Sequence, residues 1–405
     1  MSTHETDDSV TWQPTWTQAM TDFRGEEDEP PFACVTVRMT VPASIGGSCV
    51  RFELSNRFGD ESVRIGRAGI GVGGQFFETT FDGQHWTEIP AGDARWTDPI
   101  ELTVSHGDDV VVDLYLPEPT PYTSANGFAF DRSLPGDFVG SPNFPLEGST
   151  PPEADESGQS SELDRTGWSL PAGGPFLRTI EVAAAKGKAV VVCLGASSTA
   201  MGWPQYTAAL LPADARVAVV NRGIAGNRIL LDAPPHTPSW GRSGLSRFDD
   251  DVLATHGVTH VVIAYNSNDW GLPGRTTSLD EMPTLDQLIA GYRELINRAQ
   301  MAGLTVILAT VTPLDPELAI DPRREGFRLA VNDWIRTAGH EFVDFDAAIR
   351  SETEPSRLDH KYAAPDRAHP NLNGQKRLAQ TMVDAFARMQ LEEQSARWAE
   401  WPSNR

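Results

Sequence analysis

The stretch VVVCLGASSTAMGW, residues 190–203, decides how this chain is read. From Val190 to Leu194 it is apolar without alternation. A strand buried on both faces reads this way, and such strands belong to parallel sheets covered by helices. Gly195 ends the run, and Ala196-Ser197-Ser198-Thr199 stands where the strand's carboxyl end would lie. Open parallel sheets bind their ligands at that end. A serine there is either a helix N-cap or a nucleophile, and the rest of the chain has to choose between them.

Downstream the same rhythm repeats. RVAVVNRG (216–223), HVVIAYNSND (260–269), LTVILATVTP (304–313) and EFVDFD (341–346) read as further buried strands. Between them lie helical patterns. In residues 285–300, Leu285, Leu288, Ile289, Tyr292, Leu295, Ile296 and Ala299 recur at spacings of three and four, the stripe of a helix with one buried face. Residues 324–339 and 374–390 are two more. Five parallel strands alternating with helices predict a three-layer α/β/α sandwich. Upstream the rhythm differs. CVTVRMTV (34–41), SCVRFELSN (48–56), VRIGRAGIGV (63–72), PIELTVS (99–105) and DVVVDLYLP (109–117) are short alternating runs divided by turn residues, as in an antiparallel β-sandwich. GFAFD (127–131) and PFLRTIEVAA (175–184) would add outer strands, and residues 132–175 a long surface excursion. The expected organisation is a sandwich domain over 1–185, an α/β domain over 186–392 and a tail over 393–405.

Bulk properties narrow the function. A chain of 405 residues exceeds one ordinary core, so two domains are expected. The net charge of −23 argues against nucleic-acid binding, because a phosphate backbone would be repelled. No run approaches the length of a membrane span. The start, MSTHETDDSVTW, lacks the basic and apolar segments of a secretory signal, which makes the cytoplasm the expected location. Cys34, Cys49 and Cys193 lie in strand-like runs and are expected as buried free thiols. A Cys34–Cys49 bridge fits hairpin geometry but not a reducing compartment.

The residues at the strand ends decide the chemistry. Ser197 follows the first strand, Asn221-Arg222-Gly223-Ile224-Ala225-Gly226-Asn227 the second, and Asn266-Ser267-Asn268-Asp269 the third; Asp366 and His369, in DRAHPN, precede the last helix. Each alone has an ordinary explanation as a cap, a turn or a loop residue. Together, at one end of one sheet, they supply a hydroxyl, an imidazole, a carboxylate, an exposed backbone N–H and a side-chain amide, the inventory of acyl transfer.

GASST, NRGIAGN, NSND and DRAHPN in this order resemble the blocks of the SGNH (GDSL-type) hydrolases, over roughly residues 188–390. GGSCVRFELSNRFGDESVRIGRAGIGV (46–72) resembles the branch of that family in which a β-sandwich, jelly-roll or carbohydrate-binding-module-like, precedes a flavodoxin-like catalytic domain. The resemblance implies Ser197 as nucleophile, His369 as base and Asp366 as its orienter. It implies an oxyanion hole made of the Ser197 N–H, the Gly226 N–H and the Asn268 amide, with no metal or organic cofactor. Ser198 is the rival nucleophile and His360 the rival base. His236 reads as a loop residue, and His260 sits at the wrong end of its strand.

Two positions depart from the family pattern: Ala196 replaces an Asp, and Asn266 replaces a Gly. Trp203, Trp240 and Trp270 follow the motif strands and, with Asn266, are candidate substrate contacts. If the tryptophans line the pocket it is partly dry, and an acyl-enzyme then survives for capture by an alcohol. The expectation is therefore an acyltransferase or esterase acting on an aromatic, polyketide-type small molecule. Acyl-CoA is the candidate co-substrate, and Arg222, Arg228 and Arg242 would supply cations for it. Two alternatives remain open. One is a carbohydrate esterase whose sandwich domain binds glycans through Trp86 and Trp96. The other is a binding protein with a degenerate site.

Overall fold

The computed structural model describes residues 10–24, 31–127, 129–147, 173–185, 187–315, 321 and 323–389. The expected tail at 393–405 and most of the long excursion, residues 148–172, lie outside them. In the first half the strands are β1 (Val10–Thr17), β2 (Thr21–Asp22), β3 (Val35–Pro42), β4 (Val50–Ser55), β5 (Val63–Ile65), β6 (Arg67–Val72), β7 (Gln75–Glu78), β8 (Thr87–Ile89), β9 (Ala94–Trp96), β10 (Asp109–Leu116), β11 (Ser124–Ala125), β12 (Asp131–Arg132) and β13 (Leu177–Ala185). They form two main antiparallel sheets, ordered β1-β13-β4-β9 and β12-β3-β10-β6-β7. Val37, Met39 and Val41 of β3 point inward with Val110, Val112 and Leu114 of β10, and meet Phe52, Leu54, Ile180 and Val182 of the other sheet in one core. The period-two alternation read from the sequence is the inner face of this sandwich.

Three sequence expectations need correction here. PFLRTIEVAA is an inner strand: β13 lies between β1 and β4. The edge it was to occupy belongs to β1, whose sequence VTWQPTWT carries a proline at a register shift between Pro14 and Trp16, a position where proline is tolerated. PIELTVS makes only isolated bridges, Val50 with Ile100 and Gly47 with Val104. The spacing is three residues on one side and four on the other, so an extra residue interrupts the ladder. Of the cysteines only Cys193 is buried; Cys34 is exposed and Cys49 intermediate, and all three are free thiols.

The second half contains β14 (Ala189–Gly195), α1 (Ser197–Ala200), α2 (Trp203–Leu210), β15 (Val217–Gly223), α3 (Gly244–Phe248), β16 (His260–Ala264), α4 (Asn268–Gly271), α5 (Leu285–Met301), β17 (Thr305–Ala309), α6 (Arg323–Thr337), β18 (Glu341–Val343), α7 (Phe345–Ile349) and α8 (Leu372–Arg388). The five strands are parallel in the order β15-β14-β16-β17-β18. Alternate residues of β14 serve opposite layers. Val192 and Leu194 pack under α5 and α6, while Val191 and Cys193 pack under α2 and α8. That two-sided burial is why the run shows no alternation. Among the described residues, no helix is long and apolar enough to cross a membrane.

β15 is an edge strand, and the sandwich covers its outer side. The Thr17 hydroxyl donates to the Asn221 carbonyl at 2.8 Å. The Val219 N–H donates to Ser44 Oγ at 2.8 Å. Asn126 Nδ2 donates to the Gly223 carbonyl at 2.8 Å. Side chains of one half thus satisfy backbone groups that an uncovered edge would leave to water or to a second chain.

Candidate active site

The site is assembled at the carboxyl ends of β14, β15 and β16. Gly195 closes β14 where a Cβ would come within 2.2 Å of the Thr199 hydroxyl and 2.4 Å of the Ala264 carbonyl, so only glycine lets the chain turn there. Ser197 opens α1 and is 8% exposed. As the first residue of a helical turn its N–H has no partner within the helix. His369 Nε2 lies 2.8 Å from Ser197 Oγ, and His369 Nδ1 lies 2.6 Å from Asp366 Oδ2.

The Asp366 carboxyl is buried enough to be pushed up, but hydrogen bonds from His369 and from the Ala368 and His369 N–H groups outweigh this and lower its pKa below the ordinary value. An ionised carboxylate only accepts, so Nδ1 carries the hydrogen and Nε2 is left to accept from Ser197. The short Asp-Arg-Ala-His turn is closed by Oδ1 of Asp366, which accepts from Ala368 N at 3.0 Å and His369 N at 3.1 Å. Arg367 pays for the turn with a φ of 59°, an uncommon conformation for a side-chain-bearing residue.

The glycine block and the asparagine block clamp each other. Gly226 has φ 73°, and a Cβ on it would lie 2.3 Å from the Trp240 indole. Asn268 Nδ2 donates one hydrogen to the Asn227 carbonyl at 2.9 Å; its second has no acceptor among the described residues. Asp269 is fully buried and accepts from Ile229 N at 2.9 Å and Leu230 N at 3.0 Å. Burial drives its carboxyl up to about 6 despite those bonds.

The rivals make other contacts. Ser198 Oγ accepts from Asn266 Nδ2 at 2.7 Å. His360 is an exposed side chain beside Asp359, and His236 is exposed. His260 begins β16, at the end opposite the motif, and burial lowers it to about 4.

Of the candidate substrate contacts, Asn266 and Trp240 lie beside the site, through Ser198 and Gly226 respectively. Trp203 and Trp270 do not line it. Trp203 is 0% exposed and meets Phe345 edge-on at 5.1 Å; Trp270 is 2% exposed and lies 5.0 Å from Phe327. Both are core residues, because indoles at the starts of helices turned inward fill the layers between helix and sheet. Ala196 is likewise buried in the apolar core with Val192, Leu194 and Val220.

The arginines read as a basic patch are all engaged. Arg222 is buried against the sandwich, donating to the Gln18 carbonyl and to Thr179 Oγ1; burial lowers it to about 10. Arg228 pairs with Glu281, and Arg242 with Asp250 at 2.8 Å. In the sandwich, Trp96 lies under Arg51 and stacks on His256, while Arg64 covers one face of Trp86. Among the described residues no cluster of metal-ligating side chains occurs.

A hydrogen-bonded serine, histidine and aspartate beside glycine and asparagine donors, at the strand ends of a three-layer α/β sandwich, define the SGNH type of hydrolase fold. Residues 191–377 match the GDSL-like Lipase/Acylhydrolase family and form a domain of that type. Similar solved structures include Est24, a carbohydrate acetylesterase from Sinorhizobium meliloti (18% identity, 50% of this chain and 100% of that chain, TM-score 0.37). A catalytic mutant of Axe2, an acetylxylan esterase from Geobacillus stearothermophilus, is another (22%, 50% and 95%, 0.38). So is the aryl esterase of M. smegmatis (14%, 49% and 99%, 0.37). Comparison with curated proteins returned no match.

Proposed function

We propose that this chain cleaves carboxylic esters through an acyl-enzyme on Ser197. Ser197 Oγ attacks the carbonyl carbon as His369 Nε2 takes its proton, and the carbonyl electron pair moves onto oxygen. That oxyanion is held by the Ser197 N–H, the Gly226 N–H and the second Asn268 amide hydrogen. The tetrahedral centre collapses, the bond to the leaving oxygen breaks, and that oxygen takes the proton from His369. Water then repeats the sequence, with His369 again as base. Asp366 stays ionised and balances the imidazolium. The observation that carries this reading is the unbroken chain from Ser197 Oγ to His369 (2.8 Å) to Asp366 (2.6 Å). The reaction as written uses no cofactor.

Transfer to an acceptor alcohol, with acyl-CoA as donor and a cytoplasmic setting, is the finer form of the proposal. Two arguments for it weaken: Trp203 and Trp270 do not dry the site, and the three arginines are already engaged. Hydrolysis is therefore the form the geometry favours. A fluorophosphonate probe followed by peptide mass spectrometry tests the nucleophile. Labelling of Ser197 that is lost in Ser197→Ala is expected, and no labelling of the folded protein would overturn the reading. Product analysis with p-nitrophenyl acetate or an acyl-CoA, each with and without an aromatic alcohol, then separates free acid from transferred ester.

A further inference from the structure

Among the buried cations that the mechanism does not use, Arg247 is the one tied to all three motif-bearing strand ends. It lies on α3 and is 3% exposed. A guanidinium has five N–H donors in a rigid plane, and each of the five has an acceptor. Nε donates to Asn227 Oδ1 at 3.0 Å. Nη1 donates to the Arg222 carbonyl at 2.7 Å and to Asp251 Oδ2 at 2.8 Å. Nη2 donates to the Gly195 carbonyl at 2.9 Å and to the Tyr265 hydroxyl oxygen at 3.2 Å. Gly195 closes β14 two residues before Ser197, Arg222 lies near the end of β15, and Tyr265 follows β16. One planar group therefore fixes the ends of three strands relative to one another.

Asn227 carries that constraint into the oxyanion hole. Its Oδ1 accepts from Arg247 and from the Tyr265 hydroxyl at 3.1 Å. Its Nδ2 donates to the carbonyls of Trp240 at 2.7 Å and Arg242 at 2.8 Å. Its main-chain carbonyl accepts from Asn268 at 2.9 Å. The amide side chain has two donors and two lone pairs, and all four are occupied. The residue that follows Gly226 is thus pinned by its side chain while its carbonyl pins Asn268.

Resting on the acyl-enzyme reading above, we propose that Arg247, acting through Asn227, is the positioning residue that sets the Gly226 N–H and the Asn268 amide relative to Ser197. Asp251 neutralises its charge at contact distance, so it works by geometry and not by its field. Its donors to the Gly195 carbonyl, ahead of the nucleophile turn, and to Asn227, beside the oxyanion glycine, tie the two motif blocks to one rigid plane.

The test compares wild type, Arg247→Lys and Tyr265→Phe. Each is titrated with fluorophosphonate to count active sites and assayed on p-nitrophenyl acetate, well below its Tm. Lysine keeps the charge but cannot span the acceptors. We expect kcat per titrated site to fall about 100-fold, the scale of one lost oxyanion donor, with KM within twofold. Tyr265→Phe removes one of the two donors to Asn227 Oδ1 and one of Arg247's five acceptors but leaves the ion pair intact; kcat falls by a smaller factor with a modest loss of Tm, so this variant decides the matter if Arg247→Lys does not fold. Affinity for a boronic acid, which forms a tetrahedral adduct on serine, falls with kcat and not with KM. Variants whose kcat per site equals wild type, whatever their Tm, overturn the inference alone. A wild-type protein that neither labels nor turns over ester overturns the acyl-enzyme reading and this inference with it.

Discussion

Gly226→Ala puts the oxyanion hole under a load that can be worked out from the structure. The backbone there has φ 73°, and a residue with a Cβ in the left-handed region costs about 1–2 kcal/mol. The new methyl also meets the Trp240 ring, with Cγ and Cδ2 both at 2.3 Å. Ordinary carbon contacts begin near 3.5 Å, so ring and loop must part by roughly 1 Å. Trp240 is not free to retreat as a unit, because its carbonyl holds Asn227 Nδ2 at 2.7 Å. Either the indole swings away or residues 225–227 shift and carry the Gly226 N–H out of line. The second route removes one oxyanion donor, worth about 2.7–4 kcal/mol, or roughly 100- to 1000-fold in kcat. Stability falls by only about 1–3 kcal/mol, since strain at a half-buried loop is partly relieved by movement. The assay is kcat and KM on p-nitrophenyl acetate beside urea denaturation. The double variant Gly226→Ala/Trp240→Ala keeps the φ penalty but removes the clash, and recovers at least tenfold of the lost kcat. A single variant with wild-type kcat would refute the assignment of this N–H. A double variant no better than the single would refute the role of the indole.

Asp366→Asn presents an amide where Nδ1–H needs an acceptor and favours the wrong tautomer, so kcat falls about 10⁴-fold while the protein still folds; steady-state assay beside circular dichroism checks both. Trp203→Ala empties a core site and costs about 3–5 kcal/mol in urea denaturation with KM unchanged; a raised KM in a stable variant would return Trp203 to the pocket. His256 Nδ1 lies 2.5 Å from Glu181, across the boundary between the two halves, and that hydrogen bond raises its pKa above 6.5. Its contribution to stability is therefore full below about pH 6.5 and fades as pH rises through the raised folded value. The Tm difference between wild type and His256→Gln should be present at about pH 6 and absent by about pH 9; a difference that grows with pH would contradict this.

What the sequence reveals follows from how each element is stabilised. The five parallel strands were legible because each is buried on both faces and so reads as an apolar run. The long amphipathic α5, α6 and α8 were legible by their spacing. β1 was not, because a proline and two tryptophans hide its alternation and its pairing partner β13 lies more than 150 residues away. At the site, Ser197, Gly226, Asn268, Asp366 and His369 stand out because each follows a strand or precedes the last helix; hydrogen bonds join Ser197, His369 and Asp366, and Asn268 bonds the residue after Gly226. Trp203 and Trp270 misled because position after a strand says nothing of which way a side chain turns. Arg247 and Asn227 were missed as a pair. An arginine on a short helix looks like surface, and only the fold shows that all its donors point inward.

The distribution of charge bears on which acyl donor fits. The chain carries 33 basic and 56 acidic residues, and its arginines around the strand ends are spent on structure. Arg228, Arg242 and Arg247 face Glu281, Asp250 and Asp251. Arg367, next to the catalytic candidate Asp366, turns to Asp315 at 3.3 Å, and Arg222 is buried under the sandwich. A phosphate-bearing donor that drew on Arg228, Arg242, Arg247 or Arg367 would have to break its pair, leaving a carboxylate partly desolvated and unpaired, which costs more than a rim contact returns. A neutral ester asks only for the uncharged donors already aimed at the oxyanion. On the proposed acyl-enzyme reading, guanidinium groups locked into carbonyls and carboxylates thus weigh against acyl-CoA as the donor and for a neutral ester.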